Sequence, residues 1–189
     1  MTDQKILIIG SGFAAAANLI HLVEAGIKPS QITIVGPGQL GRGNAYGCDD
    51  DDFRLNVRAN LMWIWPDRRD DFGNWAKTHI TDDKDAMRRS GMFYRRRDFG
   101  RYVASRVDAV LAGDGDQDHA ITHYPQIVTK LGKIDQGGWQ AECSDGRLIR
   151  ANLVLLATGN PPPQWPCPIH GKTAQLPKLE NRLVQNPWN

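Results

Sequence analysis

Lys5-Ile6-Leu7-Ile8-Ile9-Gly10-Ser11-Gly12-Phe13-Ala14-Ala15 decides how the rest of this 189-residue chain reads. The run Ile6 to Ile9 has no polar face, which predicts a strand covered above and below, as strands of a parallel sheet are. Gly10-Ser11-Gly12 breaks it. An alanine-rich helix is then expected from about Phe13 to Ala25, burying Ala16, Leu19, Ile20 and Val23 and turning Asn18 and His21 outward. Gly26 is placed to end that helix, and Pro29 prevents it from restarting. Ile32-Thr33-Ile34-Val35 predicts a second buried strand. Strand, glycine turn, helix and strand within about 30 residues form one βαβ unit, with a parallel pair and a right-handed crossover.

The turn carries chemistry of its own. A helix N-terminus offers unpaired N–H groups and the positive end of a dipole, which suits a diphosphate. The phosphates must approach the backbone closely, so a Cβ in the turn would collide. Gly10 permits the sharp exit from the strand and Gly12 the close approach. Ala15 fills the third position of the GxGxxG pattern, where a small residue lets helix and strand pack tightly. Gly10, Ser11, Gly12, Phe13, Ala14 and Ala15 are therefore expected to hold the pyrophosphate of a dinucleotide.

The second strand complicates this reading. An acidic residue usually ends it and accepts two hydrogen bonds from the adenosine ribose. Here that place is Gly36, followed by Pro37, and no Asp or Glu appears before Asp49. Hydrogen bonds to a charged group contribute about 1.5–3 kcal/mol, so their loss weakens a dinucleotide without abolishing its binding. A small neutral residue with Arg42 nearby also suits the 2′-phosphate of NADP. On the residues alone, both readings stand.

The remaining chain divides by pattern into four parts, together expected to be one domain: the βαβ unit (1–38), a mostly helical insertion (39–120), a β-meander closing on a final strand (121–159) and a Pro-rich tail (160–189). In the insertion, one helix is expected to start near Asp70 and bury Phe72, Trp75, Ala76 and His79. A second, capped by Asp98, should bury Phe99, Tyr102, Val103, Val107, Val110 and Leu111 and end at Gly113. Gly137-Gly138 and Asp145-Gly146 read as the turns of the meander. Leu153 to Leu156 reads as a fully buried parallel strand ending in Ala157-Thr158-Gly159, and the tail after Pro161 as irregular coil. The fold class is α/β: a Rossmann-like parallel sheet with a helical insertion and a small antiparallel meander.

Other features exclude function classes. A net charge of +2 gives no electrostatic case for nucleic acid or a membrane surface. The apolar runs are far shorter than the ~20 residues that cross a bilayer. Cys48, Cys143 and Cys167 form no metal-ligand spacing and read as reduced thiols, and the short polar N-terminus reads as no signal peptide, so a cytoplasmic location is expected. Asp49 to Asp52 reads as a solvated charge run rather than a metal site. His21, His79, His119, His123 and His170 are scattered, with no nucleophile or carboxylate in a catalytic pattern. Arg95-Arg96-Arg97 reads as a solvated helix start, with Arg97 weighed for the cofactor. Trp63 and Trp65 read as core aromatics, with a flavin-adjacent role as the alternative. Asn56 reads as making a buried hydrogen bond, to cofactor or to backbone. No side chain stands out as a base or nucleophile, which suits a protein whose cofactor carries the chemistry.

Longer motifs separate the two dinucleotide readings. Beyond Gly10-Ser11-Gly12-Phe13, the chain carries Gly41-Arg42-Gly43-Asn44-Ala45-Tyr46, similar to a GRGxAY loop. Leu55-Asn56-Val57-Arg58-Ala59 and Trp65-Pro66-Asp67 are similar to an LNVPA…PD segment. Phe72 with Trp75 is similar to an FxxW pattern, and Arg97-Asp98-Phe99-Gly100-Arg101-Tyr102 to an RxxFGxY pattern. Leu156-Ala157-Thr158-Gly159-Asn160-Pro161-Pro162-Pro163 is similar to LATGNPPP, and Asn186-Pro187-Trp188 to NPW. In these features and their order the chain resembles bacterial FAD/NAD(P)-binding proteins that include urate hydroxylase-like flavoproteins. It is more distantly similar to N-hydroxylating flavin monooxygenases.

The resemblance implies that the glycine turn belongs to FAD. Gly36 and Pro37 would lie along the ribose, the backbone near Val128 would meet the adenine, and Ala157, Thr158 and Gly159 would close over the phosphates. Arg42 and Tyr46 would belong to the cofactor loop and Asn56 to the cofactor side. Gly36 departs from the usual pattern. A second fingerprint for NAD(P)H is missing, so the chain reads as the FAD-binding part of an NAD(P)H-dependent oxidoreductase or monooxygenase, with a C-terminal or separate domain supplying NAD(P)H and substrate. The alternatives are a non-catalytic nucleotide-binding or partner subunit and an NADP-binding domain using Arg42.

Overall fold

A computed structural model describes residues 4–112, 121–135 and 137–160. Four strands form a parallel sheet in the order β5-β2-β1-β9: β1 (Ile6–Ile9), β2 (Ile32–Val35), β5 (Thr122–Tyr124) and β9 (Leu153–Leu156). Helix α1 (Phe13–Glu24) makes the crossover from β1 to β2 and ends where Gly26 takes φ +90°. The long segment between β2 and β5 carries the short α2 (Gly43–Tyr46), α3 (Asp71–His79), a two-stranded hairpin of β3 (Met87–Arg88) and β4 (Gly91–Met92), and α4 (Arg96–Ala112). A three-stranded antiparallel meander follows, of β6 (Val128–Lys133), β7 (Trp139–Cys143) and β8 (Leu148–Ala151).

The alternation along β1 and β2 explains the layering. Ile6, Ile8, Ile32 and Ile34 face one cluster with α1 residues Ala15, Ala16, Leu19 and Ile20 and with Phe72, Phe99, Tyr102 and Val103 from α3 and α4. Leu7, Ile9 and Val35 face the opposite cluster, with Ala141, Cys143 and Ala151 of the meander. Helices thus cover one face of the parallel sheet and an antiparallel sheet covers the other. Both faces of β1 are dry, as its unbroken apolar run requires.

Several details differ from the sequence reading. Thr122–Tyr124 joins the parallel sheet beside β2, so the meander begins only at Val128. Among the described residues β9 pairs with β1 alone, at the edge of the sheet. Leu153 and Leu156 are therefore 41% and 69% exposed instead of fully buried. Helix α4 begins at Arg96, ahead of its expected cap. Asp98 lies inside the first turn at 0% exposure, drawn inward to Arg101 at 3.2 Å rather than capping the helix. His79 is exposed and stacks its ring on buried Trp75 at 4.5 Å. Gly113, the Pro-rich tail, Cys167, His119, His170 and Asn186-Pro187-Trp188 lie outside the described residues.

Candidate functional site

The strand order reverses direction at β1. The chain moves from β1 outward to β2 on one side, and β9 returns on the other. Ligands of open α/β sheets bind at such a switch point, outside the carboxyl ends of the strands. Here those ends are Gly10-Ser11-Gly12 after β1, Gly36-Pro37 after β2 and Ala157-Thr158-Gly159 after β9.

Three glycines let these segments converge. Gly10 has φ +122°, and a Cβ on it would overlap the Ala157 carbonyl oxygen. Gly36 lies against the same turn: a Cβ there would stand 2.5 Å from both Gly10 C and Ser11 N. Gly43 (φ +52°) crosses the start of α1, and its Cβ would lie 2.8 Å from Gly12 Cα. Gly12 itself would have only an ordinary contact, 3.7 Å to Gly43 Cα. The close-approach logic therefore holds for the turn as a whole, and the tightest packing falls on Gly10, Gly36 and Gly43.

Hydrogen bonds fix the arrangement. Gly10 N–H donates to Val35 O at 2.7 Å and Gly36 N–H to Tyr124 O at 3.1 Å, tying the turn to the ends of β2 and β5. Ser11, 4% exposed, donates its hydroxyl to the Pro37 carbonyl, and its own carbonyl accepts from Gly41 N–H at 2.8 Å. The Ser11 hydroxyl is thus committed to holding the loop. His123 Nε2 meets Gly36 O at 3.0 Å from β5 and braces the β2 exit.

The N-terminus of α1 carries no acidic residue in its first turn. Gly12 is its N-cap, and no side chain among the described residues caps it. The N–H groups that open a helix have no intrahelical acceptor, and the dipole end is positive. Ala14 stands exposed beside the turn, while Ala15 is fully buried against the sheet. Phe13 packs edge-on against Tyr46 at 6.2 Å and lies 5.6 Å from Phe99, so Phe13 and Tyr46 both pack against α4 in the helical layer. Burial raises the pKa of Tyr46.

The Gly41-Arg42-Gly43 loop and α2 are pressed onto α4 by further glycines. A Cβ at Gly41 would be 2.8 Å from Val103 Cγ1, and one at Gly100 would be 2.6 Å from Tyr46 O. Arg42 donates to Asp49 at 2.7 Å and to Tyr46 O at 3.4 Å. Arg97 reaches Asp51 at 2.5 Å and Asp49 O at 3.0 Å. The acidic run is thus the counter-charge of these arginines, a role its sequence did not reveal.

The other expected site residues separate. Val128 starts β6 and packs with Leu7, Ile9 and Val35 beneath the sheet. Thr158 and Gly159 are exposed at the end of β9. Asn56 is exposed, between Leu55 in the core and Val57, so it makes no buried hydrogen bond. Trp65 donates Nε1–H to Glu24 at 2.7 Å at the far end of α1, with Arg68 over its ring at 3.7 Å, and belongs to the core. Among the described residues, no group of His, Cys, Asp and Glu is arranged to hold a metal, and no helix is long and apolar enough to cross a membrane.

Sequence reasoning missed Gly43, Gly100 and His123. A glycine inside a helix costs ~1 kcal/mol relative to alanine, so Gly100 carried a packing signal in the sequence. His123 carried none, because its partner is a backbone carbonyl 87 residues away.

No match is found among curated protein sequences. Among solved structures, a cyclohexanone monooxygenase mutant from Rhodococcus sp. Phi1 bound to NADP+ has a TM-score of 0.58 at 17% identity, over 82% of this chain and 26% of that one. OTEMO in an FAD-bound form gives 0.55 at 16% identity, over 86% and 26%. A flavin-containing monooxygenase from Stenotrophomonas maltophilia gives 0.53 at 16% identity, over 82% and 38%. At these identities the likeness is one of fold, and the chain spans only about a quarter to two-fifths of these neighbours. A family model described as FAD-NAD(P)-binding matches residues 7–161, and the chain belongs to that family.

Proposed function

We propose that this chain is the FAD-binding part of an NAD(P)H-dependent flavoprotein oxidoreductase or monooxygenase, with the pyrophosphate seated on Gly10 to Ala15. One observation carries the reading: the uncapped, acid-free start of α1 faces a cradle in which Gly10, Gly36 and Gly43 leave no room for a Cβ. A diphosphate fits there because backbone N–H groups and the helix dipole meet it without an opposing carboxylate. Bound flavin would supply the hydride and oxygen chemistry, and the protein supplies position and electrostatics. Gly12, Phe13 and Ala14 would present N–H groups, Ser11 would hold the loop through Pro37, and His123 would fix the Gly36 carbonyl beside the ribose. Ala157 to Gly159 would close the phosphate side and Val128 the adenine side, as the ATG-type motif suggests. The finer likeness to urate hydroxylase-like and N-hydroxylating flavoproteins, a separate NAD(P)H and substrate domain, and a cytoplasmic setting belong to the same reading.

Arg42 speaks against the NADP-first alternative, since Asp49 and the Tyr46 carbonyl already engage its guanidinium. A second reading, a nucleotide-binding subunit without turnover, is favoured by Gly36, which offers the ribose no acid. The purified chain separates these. The flavoprotein reading expects visible flavin absorption, with FAD released on denaturation and little bleaching by NADPH alone. A folded, colourless chain that takes up NADP but not FAD would sink it.

A further inference from the structure

The backbone of Arg42 is clamped to the turn that opens α1. Gly41, before it, donates its N–H to Ser11 O at 2.8 Å. Gly43, after it, lies so close to Gly12 that a Cβ there would stand 2.8 Å from Gly12 Cα. Both contacts are to the β1–α1 turn and neither is to the β2 exit at Gly36, beside which a 2′-phosphate would lie. The side chain leads elsewhere. Its stem crosses α4, where a Cβ at Gly100 would stand 3.4 Å from Arg42 Cγ. The guanidinium donates to Asp49 at 2.7 Å and to the Tyr46 carbonyl at 3.4 Å.

These contacts hold the guanidinium weakly. The Asp49 side chain is 79% exposed, and exposed ion pairs are screened by water and salt. The bond to Tyr46 is at the long limit of a hydrogen bond. Asp49 in turn does not depend on Arg42 for its place. Arg97 donates to the Asp49 carbonyl at 3.0 Å and pairs with Asp51 at 2.5 Å, which docks the acidic segment on α4. Arg42 can therefore change partner without that segment coming away.

A diphosphate on Gly10 to Ala15 would offer it a better partner. The helix end supplies about half a positive charge, against two negative charges on the ligand. A guanidinium fork meets phosphate through two parallel N–H bonds, whereas it gives Asp49 one. We propose that Asp49 competes with a dinucleotide diphosphate for the Arg42 guanidinium, an autoinhibitory contact that lowers cofactor affinity until binding draws Arg42 off the carboxylate. The competition presupposes the diphosphate seat proposed above.

The test is a titration of the full chain with ADP, against adenosine, by calorimetry and by NMR of the arginine Nε–H groups. Asp49→Asn, at an exposed side chain, keeps the fold and should bind ADP about two- to fivefold more tightly than the parent. Arg42→Ala should weaken ADP about tenfold or more, and adding Asp49→Asn to it should change nothing further. In the parent, ADP should shift the Arg42 Nε–H and adenosine should not. An Asp49 that merely buttresses the loop gives the opposite sign, weaker ADP binding in Asp49→Asn, and that result would overturn the proposal. An unchanged affinity, a tightening that persists in the Arg42→Ala background, or an Arg42 Nε–H unmoved by ADP would overturn it as well. In each of those cases ADP still binds, so the diphosphate seat stands while the competition fails. A folded parent that binds neither ADP nor FAD would remove both.

Discussion

Replacing Gly36 by aspartate sets two expectations in opposition. By fold analogy, an acid at the end of β2 gains hydrogen bonds to the ribose of about 1.5–3 kcal/mol and tightens the dinucleotide. The packing says the reverse. A Cβ at position 36 would lie 2.5 Å from Gly10 C and Ser11 N and 2.9 Å from Ser11 Cβ, whereas ordinary contact begins at 3.4 Å. The two nearest neighbours are backbone, so relief requires the Gly10 to Gly12 turn itself to retreat by about 1 Å. Overpacking of this kind costs roughly 1–3 kcal/mol, or a Tm loss of roughly 2–12 °C at this size. Misaligning even one N–H to a phosphate costs a further ~1.5–3 kcal/mol, about 10- to 150-fold in Kd. Gly36→Ala is the control, since it adds the clash without the carboxylate. Thermal melts and FAD titrations by flavin fluorescence should show both variants less stable and both weaker than the parent. An aspartate variant that binds FAD as tightly as the parent, while the alanine variant does not, would refute the reasoning.

Other outcomes follow from single contacts. Gly10→Ala forces a side chain into φ +122° against the Ala157 carbonyl and should cost several kcal/mol by thermal melt and abolish FAD uptake. Trp65→Phe loses the Nε1–H bond to Glu24 and should destabilise by about 1.5–3 kcal/mol, while leaving FAD affinity unchanged, because this ring is core. Tyr102→Phe removes the hydroxyl that donates to Asp71 at 2.7 Å and should cost a similar ~1–3 kcal/mol in chemical denaturation. Asp98 has its pKa raised by burial, against the opposing pull of Arg95, so its contribution is greatest below the ordinary carboxylate range and is lost as pH rises through the raised value. The stability of the parent relative to Asp98→Asn should therefore increase as pH falls through the mildly acidic range, and a flat difference across denaturation curves at several pH values would contradict this.

How much of this was legible in the sequence depended on range. Ile6 to Ile9, the glycine turn and the helix from Phe13 were readable because unbroken apolar runs and helical spacing are local signals. The edge position of β9 was not readable, since Leu153 to Leu156 look the same beside one neighbour or two. Asp98 reads as a cap from its place before an apolar run; its burial, with Arg95 and Arg101 one turn to either side, follows from the packing of α4. Gly36 looked like a missing acid. In the fold it is a packing requirement set by Gly10 and Ser11, which are distant in sequence and touching in space.

The central claim is that the start of α1 holds the FAD pyrophosphate. Titrating FAD into the folded chain while following the backbone amides tests it most directly. The account predicts saturable shifts concentrated at Gly12, Phe13 and Ala14 and extending to Gly43 and Thr158, reproduced by ADP but not by riboflavin. Binding of FAD that leaves those amides unmoved, or no binding by a chain that is demonstrably folded, would contradict it.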